Sequence, residues 1–235
     1  MIYFNIPWAE DRNIAEAYNN FMEVVPNDTD FACFIDGDAM FANEFFGAML
    51  YEVIEKHPDK NFFSSYVSRC GYDGAGVWMI PNDEECLSIK VSRKDIVESN
   101  DMKFHRDVGK SLWKKNKTNL IKVDEPFLKE RKTSGGDLSY FSGTCFLIRK
   151  SLWRKINKFK PSWRQGSDLS TRFFGVDNRL HKDVLESGEF LYLMTGVSSY
   201  HWYRNIHTKQ EFYDYSNAIH QHKVKDWKQS LETSQ

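Results

Sequence analysis

The sequence predicts an α/β fold with a central sheet, mixed but mainly parallel, flanked by helices. Three observations carry that expectation. Short aromatic and β-branched runs alternate with segments whose apolar residues recur at helical spacing. In the N-terminal half the order is strand, helix, strand, helix, strand, the pattern of parallel strands joined by crossover helices. The 235 residues, 41% hydrophobic and 15% aromatic, suffice for one sizeable core and argue against disorder.

The first strand is expected over Ile2 to Ile6, and Pro7-Trp8 turns the chain out of the sheet. A helix follows, because Ile14, Ala17, Tyr18, Phe21, Met22 and Val25 share one face, with Asp11 as its cap. Pro26-Asn27-Asp28 ends it. Phe31 to Ile35 reads as a buried strand, and a second helix runs from about Asn43 to Lys56, burying Phe45, Phe46, Met49, Leu50, Val53 and Ile54. Asn61 to Ser68 is the next strand, followed by a glycine-rich loop over 71–76. A charged helix is expected over roughly Lys94 to Asn116 and a short strand over Leu120 to Val123. Leu138 to Ile148 reads as a strand interrupted by Gly143, and Ser151-Leu152-Trp153 opens a helix. Val176 to Ser187 reads as helical, Phe190 to Met194 as extended, and Val197 to Tyr203 as extended again. One domain over 1–207 is expected, with a polar helical tail over 208–235.

Net charge is −1, yet the charges are segregated. Residues 1–102 carry 7 Lys/Arg against 19 Asp/Glu, whereas 103–164 carry 17 against 5. Such a basic middle creates a field that attracts anions: substrate phosphates, an anionic lipid surface or a nucleic acid. A solvated helical face is the plainer reading of any single pair. No apolar run approaches the ~20 residues that span a bilayer, and the first residues lack the basic flank of a signal peptide. Cys33, Cys70, Cys86 and Cys145 show no metal-type spacing. Buried thiols in a reducing cytoplasm are the expectation.

The most informative segment is Asp36-Gly37-Asp38, which closes the Phe31–Ile35 strand. Where a central strand leaves the core is where open α/β sheets place ligands. Two carboxylates on either side of one glycine repel each other unless a cation lies between them. Hard oxygen donors suit Mg²⁺ or Mn²⁺, with substrate phosphates completing the shell. Asp-Gly-Asp is also an ordinary turn sequence. Three further segments carry chemistry-bearing residues. Asp177, after Gly175, is either a helix N-cap or a group aimed into a cleft. His201, within Tyr200-His201-Trp202-Tyr203-Arg204, is either a structural histidine or a ligand suited to Mn²⁺. Gly143, within Ser142-Gly143-Thr144, is either a strand bulge or a place where a sugar ring approaches the sheet.

Taken in this order, these pieces resemble the GT-A glycosyltransferases, a Rossmann-like fold, and within them the family 2 type. The resemblance spans about Ile2 to Arg204. It implies that Asp38 ligates a divalent metal, Mn²⁺ or Mg²⁺, against the diphosphate of a UDP-linked sugar, while Asp36 faces the ribose or a metal-bound water. His201 becomes a further metal ligand and Asp177 the base. Arg12-Asn13 matches an Arg-Asn pair in the family's first helix, and Ser142-Gly143-Thr144 with Arg149-Lys150 matches a glycine-rich strand followed by a basic helix. Pro7 and Trp8 supply the base pocket, Trp8 stacking on uracil, and Gly37, Gly143 and Arg204 complete the nucleotide-sugar site.

The implied activity is transfer of a hexosyl or N-acetylhexosaminyl group to an acceptor hydroxyl with inversion. The acceptor is a glycan, a lipid-linked intermediate, or an anionic one such as hydroxylated bases in DNA. Peripheral membrane contact is compatible with it. The chain departs from the family in carrying Val176-Asp177 where Glu-Asp is usual, and in having one helix between the first strand and the acidic pair. Gly175-Val176-Asp177-Asn178 also resembles a segment of retaining enzymes. A nucleotidyltransferase uses paired carboxylates too, but it needs a phosphate loop that Pro7-Trp8-Ala9-Glu10 does not offer. A catalytically silent nucleotide-sugar-binding module is the other alternative.

Overall fold

The computed structural model describes residues 1–7, 13–37, 39–68, 79–99, 101–124, 126–127, 142–164 and 173–201. Trp8, Arg12, Asp38 and Arg204, the glycine-rich loop at 71–76 and the tail lie outside them, as does the side chain of His201. The first of the chain's two units is Met1–His201.

Its frame is a mixed seven-stranded sheet. The strands are β1 (Ile2–Asn5), β2 (Phe31–Ile35), β3 (Ala39–Phe41), β4 (Phe62–Ser68), β5 (Leu120–Val123), β6 (Cys145–Arg149) and, after two short strands, β9 (Leu191–His201). Their order is β1-β2-β6-β4-β9-β3, with β5 also paired to β9. The short strands β7 (Ser162–Arg164) and β8 (Phe173–Gly175) pair separately. β1 and β2 are parallel, as are β4 and β9, but the other four pairings of the large sheet are antiparallel. The α/β class is as expected, and β1, β2, β4 and β9 share one direction. The sheet is less parallel than the sequence suggests because β6 inserts antiparallel between β2 and β4.

Helices α1 (Ile14–Val24), α2 (Phe46–Lys56), α3 (Asp83–Ser88), α4 (Arg93–Glu98), α5 (Met102–Asn116), α6 (Lys150–Lys155) and α7 (Asp177–Glu186) complete the unit among the described residues. Every residue of β2 is buried, its side chains alternating between two apolar clusters. Ala32 and Phe34 join Phe146 and Ile148 beneath Tyr18 and Met22 of α1. Phe31, Cys33 and Ile35 join Cys145 and Leu147 beneath Met49, Leu50 and Val53 of α2. Cys33, Cys86 and Cys145 are buried free thiols, in line with expectation.

Several local expectations are corrected. α1 is capped by Asn13, whose side-chain oxygen accepts the Glu16 N–H at 3.2 Å. Phe45 is 66% exposed, because α2 begins only at Phe46 and the Asn43 side chain turns the preceding chain by accepting the Phe45 N–H at 2.9 Å. The charged helix divides into α4 and α5. At the break the Ser99 hydroxyl accepts from Asp101 N–H, and the Asp101 carboxylate accepts from Lys103 N–H. Such local side-chain bonds compete with a continuous helix. The two expected extended stretches fall in one strand, β9, whose pairing with β4 jumps from Met194 to Ser198 around Gly196. A Cβ at Gly196 would run into the Lys117 carbonyl at the end of α5, so only glycine fits. Gly196→Ala is expected to cost about 1–3 kcal/mol through overpacking, measured by urea denaturation.

The basic segment 149–158 is consumed internally. Arg149 donates to the carbonyls of Thr29, Pro58 and Lys60. Arg154 pairs with Asp28 at 2.7 Å, Lys155 with Glu189 at 2.9 Å, and Lys158 with Glu23. Lys150 is 4% exposed, and its ammonium donates to the Glu23 and Val25 carbonyls at the C-terminus of α1. A cation there satisfies otherwise unpaired acceptors and complements the helix dipole. Lys150→Met is expected to cost about 2–3 kcal/mol, since buried carbonyls lose a charged donor; an unchanged urea midpoint would contradict this. Arg149 pairs with Phe31 at the start of β2, whereas Cys145 pairs with Ile35 at its end. The expected basic helix therefore begins at the opposite end of β6 from Gly143.

Candidate functional site

Of the candidate residues, Asp36, Gly37, Gly143 and Asp177 come together where β2 ends and β6 begins. The Asp36 N–H donates to the Thr144 carbonyl at 2.9 Å, and the Asp36 carbonyl accepts the Ala39 N–H at 3.0 Å. These two bonds fold the Asp36-Gly37 turn back onto the sheet. Gly37 lies beside Ile6, which follows β1 and precedes Pro7: a Cβ on Gly37 would stand 3.6 Å from Ile6 Cγ2. Parallel pairing of β1 with β2 thus brings Pro7 to the same sheet end as Asp36.

Gly143 is in closest contact with Asp177. A Cβ on Gly143 would lie 2.6 Å from Asp177 Oδ1 and 3.1 Å from its Cγ. The carboxylate therefore rests on the glycine backbone, and the absence of a side chain is what lets it do so. Asp177 is the first helical residue of α7; the cap position belongs to Val176. The half-buried Asp177 carboxylate stands in the favourable field of the helix N-terminus. The strand below is firmly held: the buried Ser142 and Thr144 hydroxyls hydrogen-bond at 2.8 Å, and Ser142 N–H points to the Met79 sulfur at 3.1 Å.

Sequence reading placed Tyr18 in the core of α1 without assigning it to the site. Its ring is buried and stacks on Phe34 at 4.2 Å, with Phe146 at 5.7 Å. Burial raises its pKa well above the usual phenol value, and the carboxylates of Asp36 and Asp177 push it further, followed by the Cys145 thiol. Both acids therefore act on one phenol, which keeps its proton and remains a donor at ordinary pH. The available signal was a lone polar tip on an otherwise apolar helix face, since a buried tyrosine hydroxyl usually serves a polar neighbour.

The histidine end of the site is placed by β9. His201 pairs in register with Ala39, the residue after Asp38, and Tyr200 pairs with Met40. The buried Tyr200 ring stacks on His105 of α5 at 4.2 Å, and His105 Nε2 contacts the Ser99 carbonyl at 2.8 Å. Gly109 brings α5 close to the same segment: a Cβ there would meet Ala42 Cβ at 2.5 Å and Ser198 Oγ at 3.0 Å. His105 and Gly109 are thus positioning features that the sequence reading did not mark.

Among the sequence-derived candidates, the structure brings together Pro7, Asp36, Gly37, Gly143 and Asp177, and sets the His201 backbone opposite Ala39. Asn13 caps α1. Among the described residues no three His, Cys, Asp or Glu side chains form a group able to hold a metal ion. By residue type alone, the carboxylates of Asp36 and Asp38 and the imidazole of His201 are donors that suit Mn²⁺ or Mg²⁺. The backbone register sets His201 opposite Ala39, the residue that follows Asp38.

No described helix is long and apolar enough to cross a membrane. Comparison of the sequence with protein-family models and with curated proteins finds no match.

Proposed function

We propose that this protein is a cytoplasmic, metal-dependent glycosyltransferase of the GT-A fold, moving a sugar from a UDP-linked donor to an acceptor hydroxyl with inversion. The observation that carries the reading is the contact of the Asp177 carboxylate with Gly143, directly beside the Asp36 turn. An acid packed on bare backbone at the carboxyl end of a central strand offers a positioned group to take an acceptor's proton.

In the proposed reaction the anomeric carbon–phosphate oxygen bond breaks and a bond to the acceptor oxygen forms. Asp177 accepts the hydroxyl proton as that oxygen attacks. Asp38 and His201 would hold a divalent ion, whose chemistry would be Lewis-acid stabilisation of the departing diphosphate. Asp36 orients the ribose, and Arg204 offsets phosphate charge. Pro7, Trp8, Arg12 and Asn13 frame the base, Gly37 leaves the donor close access to backbone, and Gly143 seats the Asp177 carboxylate. Tyr18, held neutral by burial and by the charge of both acids, adds no charge of its own beside them.

Screening nucleotide sugars for Mn²⁺-dependent thermal stabilisation tests the donor. A bound donor at 100 times its Kd stabilises by about 2.7 kcal/mol through linkage. Asp38→Ala is expected to remove the Mn²⁺-dependent part of that shift. A shift that is the same with and without the metal, or the same in the variant, would refute the metal role.

A further inference from the structure

The outward face of α5 bears a ridge of cations that, among the described residues, pairs with no acid beyond Asp107. Lys103, Arg106, Lys110 and Lys114 are exposed and follow one another at three- and four-residue steps, which stacks them along one side of a helix. The opposite side is buried through His105, Val108, Gly109 and Leu112. Asp107 is the single acid on the helix, and it pairs with Lys103 at 3.1 Å. The cations of 149–158 behave differently, being spent on carbonyls and on Asp28, Glu23 and Glu189. The two halves of the basic middle therefore have different fates: one holds the fold together, and the other faces solvent.

The ridge also has a direction. At its start, His105 stacks on Tyr200, the neighbour of His201. At its far end, Asn116 Nδ2 donates to the Thr195 carbonyl. It therefore begins at the candidate site's end of β9 and leads away from it for roughly 20 Å, at ~1.5 Å per residue.

We propose that this ridge docks a nucleic-acid strand, its phosphates lying along Lys103, Arg106, Lys110 and Lys114. One cation per helical turn matches a linear polyanion whose charges repeat along a backbone. A bilayer fits less well. A helix that binds a lipid surface inserts an apolar face beside its cations, and the apolar face of α5 is buried in the core. Phe41 and Phe45 are exposed. They belong to the side of the sheet covered by α2, where Phe41 stacks on Phe46 at 4.0 Å, whereas Val108 and Leu112 of α5 pack with the other cluster. A strand running down the ridge would present its sugars or bases to the site. That acceptor role rests on the proposed glycosyl transfer; the binding itself does not.

The test uses the full chain and a fluorescein-labelled single-stranded oligodeoxynucleotide, titrated at several salt concentrations. Wild type is expected to bind at low salt, with log K falling linearly against log salt. The triple variant Arg106→Gln, Lys110→Gln, Lys114→Gln is expected to bind about tenfold or more weakly, with a slope shallower by about 2, since each neutralised phosphate on a single strand contributes ~0.7. Its melting temperature should match wild type, because all three side chains are exposed. No binding by wild type at low salt, or an unchanged slope in the variant, overturns the proposal. So does capture by phosphatidylserine vesicles that the oligonucleotide cannot compete away. Mn²⁺-dependent stabilisation by a UDP-sugar is measured on both proteins. Its retention with oligonucleotide binding absent sinks the ridge alone, and its absence with oligonucleotide binding intact sinks the transferase reading alone.

Discussion

Asp177→Asn is expected to lower sugar transfer by about 10²–10⁴-fold, the usual contribution of a positioned general base, while leaving donor affinity nearly intact. Asparagine keeps the size of the side chain and can stay on Gly143, but it cannot take up the acceptor's proton. The effect should fall on kcat, because proton removal develops only in the transition state. Stability should move little: Asp177 is half-buried and its position at the start of α7 contributes through the helix field, a term of about 0.3–1 kcal/mol. Full transfer activity in the variant would remove Asp177 from the base role and with it the main support for an inverting route. A loss confined to donor KM would reassign the residue to donor binding.

The acidic turn was legible because β2 is an uninterrupted apolar run, buried on both faces, and such runs end where the polar residues begin. The helices α1 and α2 were legible from their apolar period. Phe45 misled: its hydrophobicity fitted the α2 period, yet local bonding from Asn43 starts the helix one residue later and leaves the ring in solvent. The gap read between the two extended stretches near 195–196 corresponds to a shift in the β4–β9 pairing inside one strand, where Gly196 admits the Lys117 backbone at the end of α5. The antiparallel insertion of β6 between β2 and β4 leaves no local trace, since pairing partners far apart in sequence are chosen by the packing of whole faces.

The same limit applied to the site. Asp36, Gly143, Asp177 and His201 could each be singled out by residue type and by the element they end or begin. Their juxtaposition depended on a pairing order that residue types do not encode. Tyr18 and His105 were hidden because Phe146 and Asp177 on the one side and Tyr200 on the other lie more than ninety residues away in sequence. The uniform basic block was also deceptive in composition alone, since Lys150 is a buried cap and Lys110 a solvent-facing charge.

Gly143→Ala is expected to cut transfer by about 10²-fold, because a shift of about 1 Å in a reacting group costs that much. The added methyl would stand 2.6 Å from Asp177 Oδ1, a distance no real Cβ tolerates, and the carboxylate is the mobile partner. It must swing away while α7 and β6 stay in place, so the melting temperature should fall only slightly. Gly47→Ala serves as control: a Cβ there meets only Phe4 Cζ at 3.9 Å, and activity should be retained. The double variant Gly143→Ala, Asp177→Asn separates the routes by which Gly143 acts. If Gly143 matters through the placement of Asp177, the two losses do not multiply, because residues in contact that serve one step are non-additive. The double variant should then be no slower than Asp177→Asn alone. Multiplying losses would mean that the methyl blocks the donor directly, and Gly143 would then be a wall of the sugar pocket acting independently of the acid beside it.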